Sequence, residues 1–254
     1  MNIKGFDNLA RHVPELNTAG GRFKIAAYFF AILALTTIYF ILTDQIPTWT
    51  LDSQIVVMAL GYLLLSRFFT QKKKYIEKYN QAAYRHAFVN FAIPGLALIF
   101  AGLAHTAYMN GPKFTQPTQV TIFTWAGWFF VAIGILLFIR AITTFGVDNL
   151  TMLYVYFPDE SSIINSSIYG IIRHPVYAGA LRVGIGLALL NMGIYALTFA
   201  ILLPLGLFGW IRLVEEKELL ERIPTYADYR KGVPAFFPYP NKLFGFFKFI
   251  ITGK

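Results

Sequence analysis

The sequence predicts an all-α fold, a polytopic membrane helical bundle with about six transmembrane helices. Of its 254 residues, 56% are hydrophobic and only 14% are charged. Soluble domains carry ~25% charged residues, so this chain has too few charges to coat a water-exposed surface. Apolar stretches of about 20 residues, the length that crosses the hydrocarbon core, also recur along the chain. An ordinary soluble domain is therefore excluded, and the absence of Cys excludes disulfides, thiolate metal sites and cysteine nucleophiles.

Five apolar stretches have about the length of a membrane span: residues 23–42, 55–69, 88–109, 120–142 and 176–214. The last stretch is too long for a single crossing. Asn191, Met192 and Gly193 at its middle predict a turn. The stretch therefore predicts a helical hairpin, which brings the number of spans to six. A shorter Phe-rich segment, residues 243–251, is predicted to lie in the membrane interface rather than cross it.

Lys and Arg residues predict the orientation of the bundle. Twenty of the 22 lie in, or within three residues of, the segments before the first span, between the second and third, after the fourth, and after the sixth. Because segments rich in Lys and Arg stay in the cytoplasm, we expect both termini there. The membrane is expected to be the plasma membrane of a prokaryote or the endoplasmic reticulum. The net charge of +9 then reflects topology and anionic lipid headgroups, and does not indicate nucleic acid. We expect one integral membrane domain, residues 1–254, with the N-terminal transmembrane helices in residues 23–142.

Two polar segments flank the predicted hairpin. Arg173 and His174 come directly before Pro175, which suits the first turn of a helix. The free N–H groups at a helix start favour an anion, although the same pair also serves as a positive-inside anchor. Glu215 and Glu216 end the sixth span, where an unpaired carboxylate is costly. Because a hairpin brings its two ends together, we expect these carboxylates to face Arg173 and His174 or a polar cavity, with a solvated helix as the alternative.

Arg182 lies inside the fifth span, about 10 Å beyond Pro175 at the ~1.5 Å rise of an α-helix. Intramembrane Arg normally faces a protein interior or a cavity. Arg182 or Arg140 is therefore a candidate to bind a carboxylate or phosphate of a lipid-like ligand, unless the side chain extends back to the interface. Polar groups after the fourth span, Asp148 and Asn149, are further candidates for such a ligand.

Small residues in the fifth span predict close helix packing. Gly184 and Gly186 form a G-x-G pattern, but a dinucleotide-binding fingerprint needs a preceding strand and not a membrane helix. With Ala180 and Ala188 they form a surface on which another helix can approach closely. The sequence contains no P-loop and no metal-ligand motif, so no metal is expected.

The polar segments belong to a longer ordered pattern. Residues 168–179 read Ile-Tyr-Gly-Ile-Ile-Arg-His-Pro-Val-Tyr-Ala-Gly, and the hairpin is followed by Glu215-Glu216, Tyr226, Tyr229, Val233-Pro234 and Pro238. This set resembles the isoprenylcysteine carboxyl methyltransferase family, with its pattern R-H-P-x-Y-x-G, helical hairpin, E-E-x-x-L, Y-x-x-Y and V-P before a final proline. That family is related to phospholipid methyltransferases and, more distantly, to membrane sterol reductases. The resemblance identifies residues 166–238 as a methyltransferase-like catalytic region.

The resemblance implies an integral membrane methyltransferase that uses S-adenosylmethionine, with a cofactor site formed by the C-terminal hairpin and the segment after it. The residues that it assigns to the cofactor site are Arg173, His174, Tyr177, Gly179, Glu215, Glu216, Tyr226 and Tyr229. The predicted catalytic residues are Arg173, Glu216 and Arg182, the last on the side of the methyl acceptor. The charges of the assigned residues also suit this cofactor, because a zwitterionic cofactor needs cationic donors and carboxylates side by side.

The expected partners are membrane lipids and a lipophilic methyl acceptor, either lipid-like or prenyl-cysteine-like, without nucleic acid or metal. Two other functions remain open at this level. One is an NADPH-dependent membrane reductase, since the Arg-His-Pro and Tyr elements recur in sterol reductases. The other is a non-enzymatic membrane scaffold that keeps the hairpin.

Overall fold

The computed structural model describes residues 3–160 and 167–253, so Ser166, where the predicted catalytic region begins, lies outside the described residues. Within these ranges the chain is helical, and its only β pairing is an isolated bridge between Lys113 and Gly193. The α-helices are α1 (Phe6–His12), α2 (Ala19–Thr43), α3 (Thr50–Thr70), α4 (Lys72–Tyr79), α5 (Ala83–Ala87), α6 (Ile93–His105), α7 (Pro117–Phe145), α8 (Val147–Leu150), α9 (Pro175–Asn191), α10 (Ile194–Trp210), α11 (Glu216–Arg222), α12 (Tyr226–Gly232) and α13 (Leu243–Thr252). A π-helical turn joins α5 to α6 over Phe88–Ala92, and another joins α10 to α11 over Ile211–Glu215.

The predicted helical membrane bundle is confirmed. In the described part of the chain, five helical stretches are long and apolar enough to cross a membrane: Ala19–Thr43, Thr50–Thr70, Lys72–His105, Pro117–Phe145 and Ile194–Arg222. The remaining predicted span is α9, which has only 17 residues. At ~1.5 Å per residue it is about 26 Å long, slightly less than the ~30 Å hydrocarbon core. Five of the six predicted spans are thus helices of membrane-crossing length, and the sixth corresponds to a shorter apolar helix.

The turn of the predicted hairpin lies at the expected residues. Helix α9 ends at Asn191, and Met192 takes a left-handed φ of 60°, a conformation that commonly ends a helix. The Asn191 Oδ1 atom accepts a hydrogen bond from the Gly193 N–H at 3.0 Å, and its side-chain amide donates to the Met109 carbonyl at 3.0 Å. The turn is therefore fixed to the chain between α6 and α7.

Helices α7 and α9 approach each other through glycines. A Cβ atom at Gly134 would lie 2.9 Å from the Gly179 carbonyl oxygen, and one at Gly186 would lie 2.8 Å from the Gly127 carbonyl oxygen. Small residues permit this close backbone contact. The contact face differs in part from the predicted one, because Gly184 faces leucine side chains of α6 and α10 instead.

One end of the bundle carries most of the short elements. It comprises residues 3–18, 71–82, 146–160, 167–174 and 223–253, and we call it the basic end. The N-terminal segment packs on the chain after α7, where the Val147 N–H donates to the Lys4 carbonyl at 2.9 Å and His12 stacks on Phe157 at 3.7 Å. Helix α13 has ten residues, too few to cross a membrane, and Arg140 donates to its Ile251 carbonyl at 2.7 Å. These contacts hold the chain around the site in place.

The opposite end is joined by a buried polar cluster. The His105 Nε2 atom lies 3.0 Å from Asp44 Oδ2, its Nδ1 atom lies 2.8 Å from Gln54 Oε1, and its ring stacks on Phe40 at 3.8 Å. His105 is fully buried, and the cluster links α2, α3 and α6. It lies at the end of the bundle opposite to the basic end.

Candidate functional site

The candidate site begins where the helix of the sixth span changes type. Helix α10 passes through the π-helical turn Ile211–Glu215 into α11. A π-helical turn contains an extra residue, which alters the direction of the side chains that follow, and such turns are frequent at functional sites. Glu215 lines a cavity, whereas Glu216 is only 1% exposed and contacts Arg173. Two adjacent carboxylates therefore have different surroundings.

Glu216 is the centre of a buried polar cluster. Its Oε1 atom accepts a hydrogen bond from Arg173 Nε at 2.7 Å, lies 3.2 Å from His174 Nε2, and accepts one from the Tyr226 hydroxyl at 3.3 Å. Its Oε2 atom lies 3.6 Å from the Arg230 guanidinium. This is the meeting of the hairpin ends that the sequence predicts, and it does not fit the alternative of a solvated helix. A single carboxylate thus orients donors from the segment directly before α9 and from α12.

Two tyrosines of α12 remain hydrogen-bond donors at the site. Burial raises the pKa of Tyr226 well above its ordinary value, and the nearby Glu216 charge raises it further. Burial likewise raises the pKa of Tyr229, whose hydroxyl donates to the Tyr169 carbonyl at 2.6 Å. Both phenols therefore stay protonated at neutral pH, and they hold α12 in place, Tyr226 against Glu216 of α11 and Tyr229 against the chain before α9.

Residues 233–236 run beside the start of α9, and we call them the strap. The Arg173 backbone N–H donates to the Pro234 carbonyl at 2.9 Å, and the His174 N–H donates to the Ala235 carbonyl at 3.1 Å. The first N–H groups of a helix have no partner within the helix, and the strap supplies acceptors just before that point. The two residues are thus fixed through their backbones as well as their side chains.

A cavity of about 240 Å³ lies next to this cluster. Polar side chains of the basic end line one part of it: Asn149, Tyr154, Tyr169, Arg173, His174, Glu215, Glu218, Arg222, Tyr226 and Tyr229. The other part, which we call the apolar arm, lies among the membrane helices and is lined by side chains such as Leu65, Ile99, Phe100, Leu103, Phe138 and Leu207. One cavity therefore joins a charged region to a hydrophobic one.

Three buried polar atoms of the cavity-lining residues have no hydrogen-bond partner among the described residues. They are Glu215 Oε2, Glu218 Oε2 and the Tyr169 hydroxyl. The other Glu218 oxygen accepts from Arg222 Nε at 2.7 Å, and the Tyr169 ring stacks on Phe145 at 4.9 Å, so these side chains are held in place. An unsatisfied buried polar atom costs ~1–3 kcal/mol. The three atoms therefore make the polar part of the cavity a candidate site for a ligand with complementary groups.

The predicted site residues fall into two sets. Those that line the cavity are Arg173, His174, Tyr177, Glu215, Tyr226 and Tyr229. Glu216 lies behind the cavity wall, and Gly179 packs against α7, where a Cβ atom would lie 2.8 Å from the Phe138 backbone nitrogen. Arg182 does not line the cavity either, and Asp148 instead accepts a hydrogen bond from Tyr154 at 2.6 Å. Of these four, Glu216 and Asp148 contact residues of the cavity's polar part, Glu216 through Arg173 and Asp148 through Tyr154.

Sequence reasoning missed five residues of the site: Tyr154, Tyr169, Glu218, Arg222 and Arg230. Tyr169 lies within the pattern that resembles the family, but nothing else in the sequence identifies it as a residue of the site. Glu218 and Arg222 follow Glu215 at helical spacing, which by itself is equally typical of a solvated surface. Arg230 follows Tyr229 directly, and its approach to Glu216 depends on the turn between α11 and α12. The spacing of Glu215 and Glu218 is the one signal that places both carboxylates on a common helix face.

Comparison with known families agrees with this part of the molecule. Residues 122–224 match the family model of the phospholipid methyltransferases. The match spans α7 to the end of α11 and includes the hairpin that carries Arg173 and Glu216. Searches of curated proteins and of solved structures found no match. The resemblance to membrane methyltransferases of the isoprenylcysteine and phospholipid type is thereby confirmed, and with the helical fold it supports an integral membrane methyltransferase.

Proposed function

We propose that the protein is an S-adenosylmethionine-dependent methyltransferase that transfers a methyl group to a lipid-like or prenyl-cysteine-like acceptor at the cytoplasmic face of the membrane. The observation that carries the proposal is the single cavity that joins a charged region to the apolar arm. A cofactor from water and an acceptor from lipid have to meet at such a boundary. The family match over residues 122–224 supports the reaction class.

The residues present fit the cofactor. Its amino acid portion carries an ammonium group, which needs acceptors, and a carboxylate, which needs cationic donors. The free oxygens Glu215 Oε2 and Glu218 Oε2 are suitable acceptors, and the cavity is also lined by Arg173, His174 and Arg222. When bound, S-adenosylmethionine supplies an activated methyl group. In the proposal, Tyr226 and Tyr229 bound the same region, and Glu216 holds Arg173 and His174 in position.

The apolar arm supports an amphiphilic acceptor. Its walls come from α3, α6, α7, α9 and α10, and Phe100, Phe138 and Leu207 are among its lining side chains. Burial of one CH₂ group of a hydrocarbon chain contributes ~0.8 kcal/mol, so a long apolar chain binds here favourably. The acceptor's reactive group then lies toward the charged region and faces the bound cofactor.

The proposed chemistry needs few residues to act directly. Methyl transfer gains most from holding two reactants in line and excluding water. An acceptor amine or thiol must also lose a proton, whereas a carboxylate acceptor needs no base.

Calorimetric titration of the detergent-purified full chain with S-adenosylhomocysteine tests the proposal, with NADPH titrated in parallel. Saturable binding of S-adenosylhomocysteine, and its weakening in Glu216→Gln but not in Glu221→Gln, is the expected result. Glu221 is an exposed residue of the same helix, which makes it a matched control. Binding of NADPH instead would identify a reductase. A folded sample that binds neither ligand would support the scaffold alternative and refute the proposal.

A further inference from the structure

Arg182 is a buried cation whose surroundings differ from those expected for a ligand-binding Arg. It is 5% exposed. One guanidinium nitrogen donates to the Ala178 carbonyl at 2.9 Å, and the other terminal nitrogen donates to the Phe236 carbonyl at 3.1 Å. The guanidinium carbon lies 4.9 Å from the Phe237 ring centroid and 5.4 Å from that of Phe246. The side chain is therefore directed at the C-terminal part of the chain and not at the cavity.

The Phe236 carbonyl completes a row of four consecutive acceptors in the strap. The Val233 carbonyl accepts from the Arg173 guanidinium. The next two strap carbonyls accept from the backbone N–H groups of Arg173 and His174, at 2.9 and 3.1 Å. Arg182 binds the fourth. Every carbonyl of the strap is thus bound by α9 or by the segment directly before it.

Of the four carbonyls, three bind residues of the cavity wall and one binds Arg182, two turns further along α9. The last residue of the strap, Phe236, also has its ring 6.4 Å from the His174 ring. A bond at the end of the strap restricts how far the preceding three carbonyls can move. Because it comes from a charged donor, it contributes more than an ordinary hydrogen bond.

We propose that Arg182 is a positioning residue, which binds the strap at Phe236 and thereby fixes Arg173 and His174 for ligand binding. The inference rests on the proposed function, because the ligand that Arg173 and His174 are proposed to bind is the cofactor. It replaces the role that the sequence suggests for Arg182 on the acceptor side. Its hydrogen bonds to two carbonyls and its contacts with two aromatic rings hold it away from the cavity, which it does not line.

The test is titration of Arg182→Ala and Arg182→Lys with S-adenosylhomocysteine, in parallel with amide hydrogen exchange. In Arg182→Ala, affinity falls at least about tenfold, the effect of losing one hydrogen bond from a charged group. The Arg173 and His174 amides, which donate to the strap, exchange faster. Arg182→Lys, whose ammonium keeps a charged donor, recovers part of both losses. A residue with only a structural role would lower the melting temperature without this selective change at two amides.

Arg140→Ala is the matched control. Arg140 also donates from its guanidinium to a C-terminal carbonyl, that of Ile251 at 2.7 Å, but outside the strap. Its loss should leave cofactor affinity and the exchange of the Arg173 and His174 amides unchanged. If Arg182→Ala does not fold, the smaller changes in affinity and in amide exchange of Arg182→Lys test the inference.

Wild-type affinity and wild-type exchange in the Arg182 variants would overturn the inference, as would a raised acceptor KM with intact S-adenosylhomocysteine binding. Absence of binding by the wild-type protein would instead refute the proposed function. In that case the hydrogen exchange still reports whether Arg182 holds the strap.

Discussion

Replacing Glu216 by Gln removes one negative charge from the buried cluster and changes little else in shape. Glu216 is 1% exposed, and the Arg173 side chain with which it pairs is 8% exposed. Loss of one partner from a buried ion pair costs ~3–5 kcal/mol, because the other charge is left uncompensated. Since Gln retains one acceptor oxygen, we expect a loss near ~3 kcal/mol in the free energy of unfolding.

The same substitution should weaken cofactor binding. Three cavity-lining donors, on Arg173, His174 and Tyr226, lie within 2.7–3.3 Å of the same Glu216 oxygen. A contribution of ~1 kcal/mol for each donor that loses its orientation sums to ~3 kcal/mol, or about 100-fold in affinity. Calorimetry with S-adenosylhomocysteine measures this loss, and a thermal melt measures the stability.

The control is Glu221→Gln, the same substitution at an exposed site of α11, for which both quantities should stay at the wild-type level. Wild-type affinity in folded Glu216→Gln would refute the reasoning, because it would mean that the orientation of Arg173 and His174 does not matter for binding. A loss of stability alone would restrict Glu216 to a structural role.

Three further predictions follow from the geometry. Glu218→Gln should weaken S-adenosylhomocysteine binding about tenfold, as expected if its partnerless Oε2 atom binds the ligand; unchanged affinity in calorimetry would exclude that contact. Gly179→Ala should lower stability by ~1–3 kcal/mol, because its Cβ would lie 2.8 Å from a backbone nitrogen of α7. Gly206→Ala, whose Cβ would meet no atom of another element within 4 Å, should not lower stability in a thermal melt. Because burial raises the pKa of Tyr226, the phenol's hydrogen bond is fully present below its ordinary pKa of ~10 and is lost only as pH rises above that value. Ligand affinity should therefore show no loss due to Tyr226 between about pH 8 and about pH 10; a decrease there that disappears in Tyr226→Phe would contradict this.

Much of the fold could be predicted because it depends on properties that the sequence displays directly. The length of the apolar stretches predicts the spans. The turn between α9 and α10 at Asn191–Gly193 is predicted by residue types that end helices. The short length of α9 could not be predicted, because the apolar run from Val176 continues without interruption into that turn. The meeting of Arg173 with Glu216 could also be expected, since a hairpin with adjacent ends leaves these opposite charges few other partners.

The unpredicted part of the site depends on backbone groups and on helix type. Carbonyl acceptors such as that of Phe236 carry no residue-specific signal, so the partners of Arg182 could not be read from the sequence. Nor does composition mark the π-helical turn that separates the surroundings of Glu215 from those of Glu216. Gly179 shows the same limit, because a glycine in a motif is compatible with both ligand approach and helix packing, and only the distance to α7 separates the two.

The burial of the charged cluster argues against the simplest explanation of its residues. A positive-inside anchor works through contact with water and lipid headgroups, and such an Arg would be solvated. The Arg173 side chain is instead 8% exposed and bound to Glu216, an arrangement whose desolvation cost commonly matches or exceeds its electrostatic gain. Apolar residues of similar volume would stabilise the fold at least as well, so stability alone does not account for the pair. A cofactor that needs fixed donors next to unsatisfied carboxylate oxygens does account for it, which is why Glu215 and Glu218 are as important to the proposal as the ion pair itself.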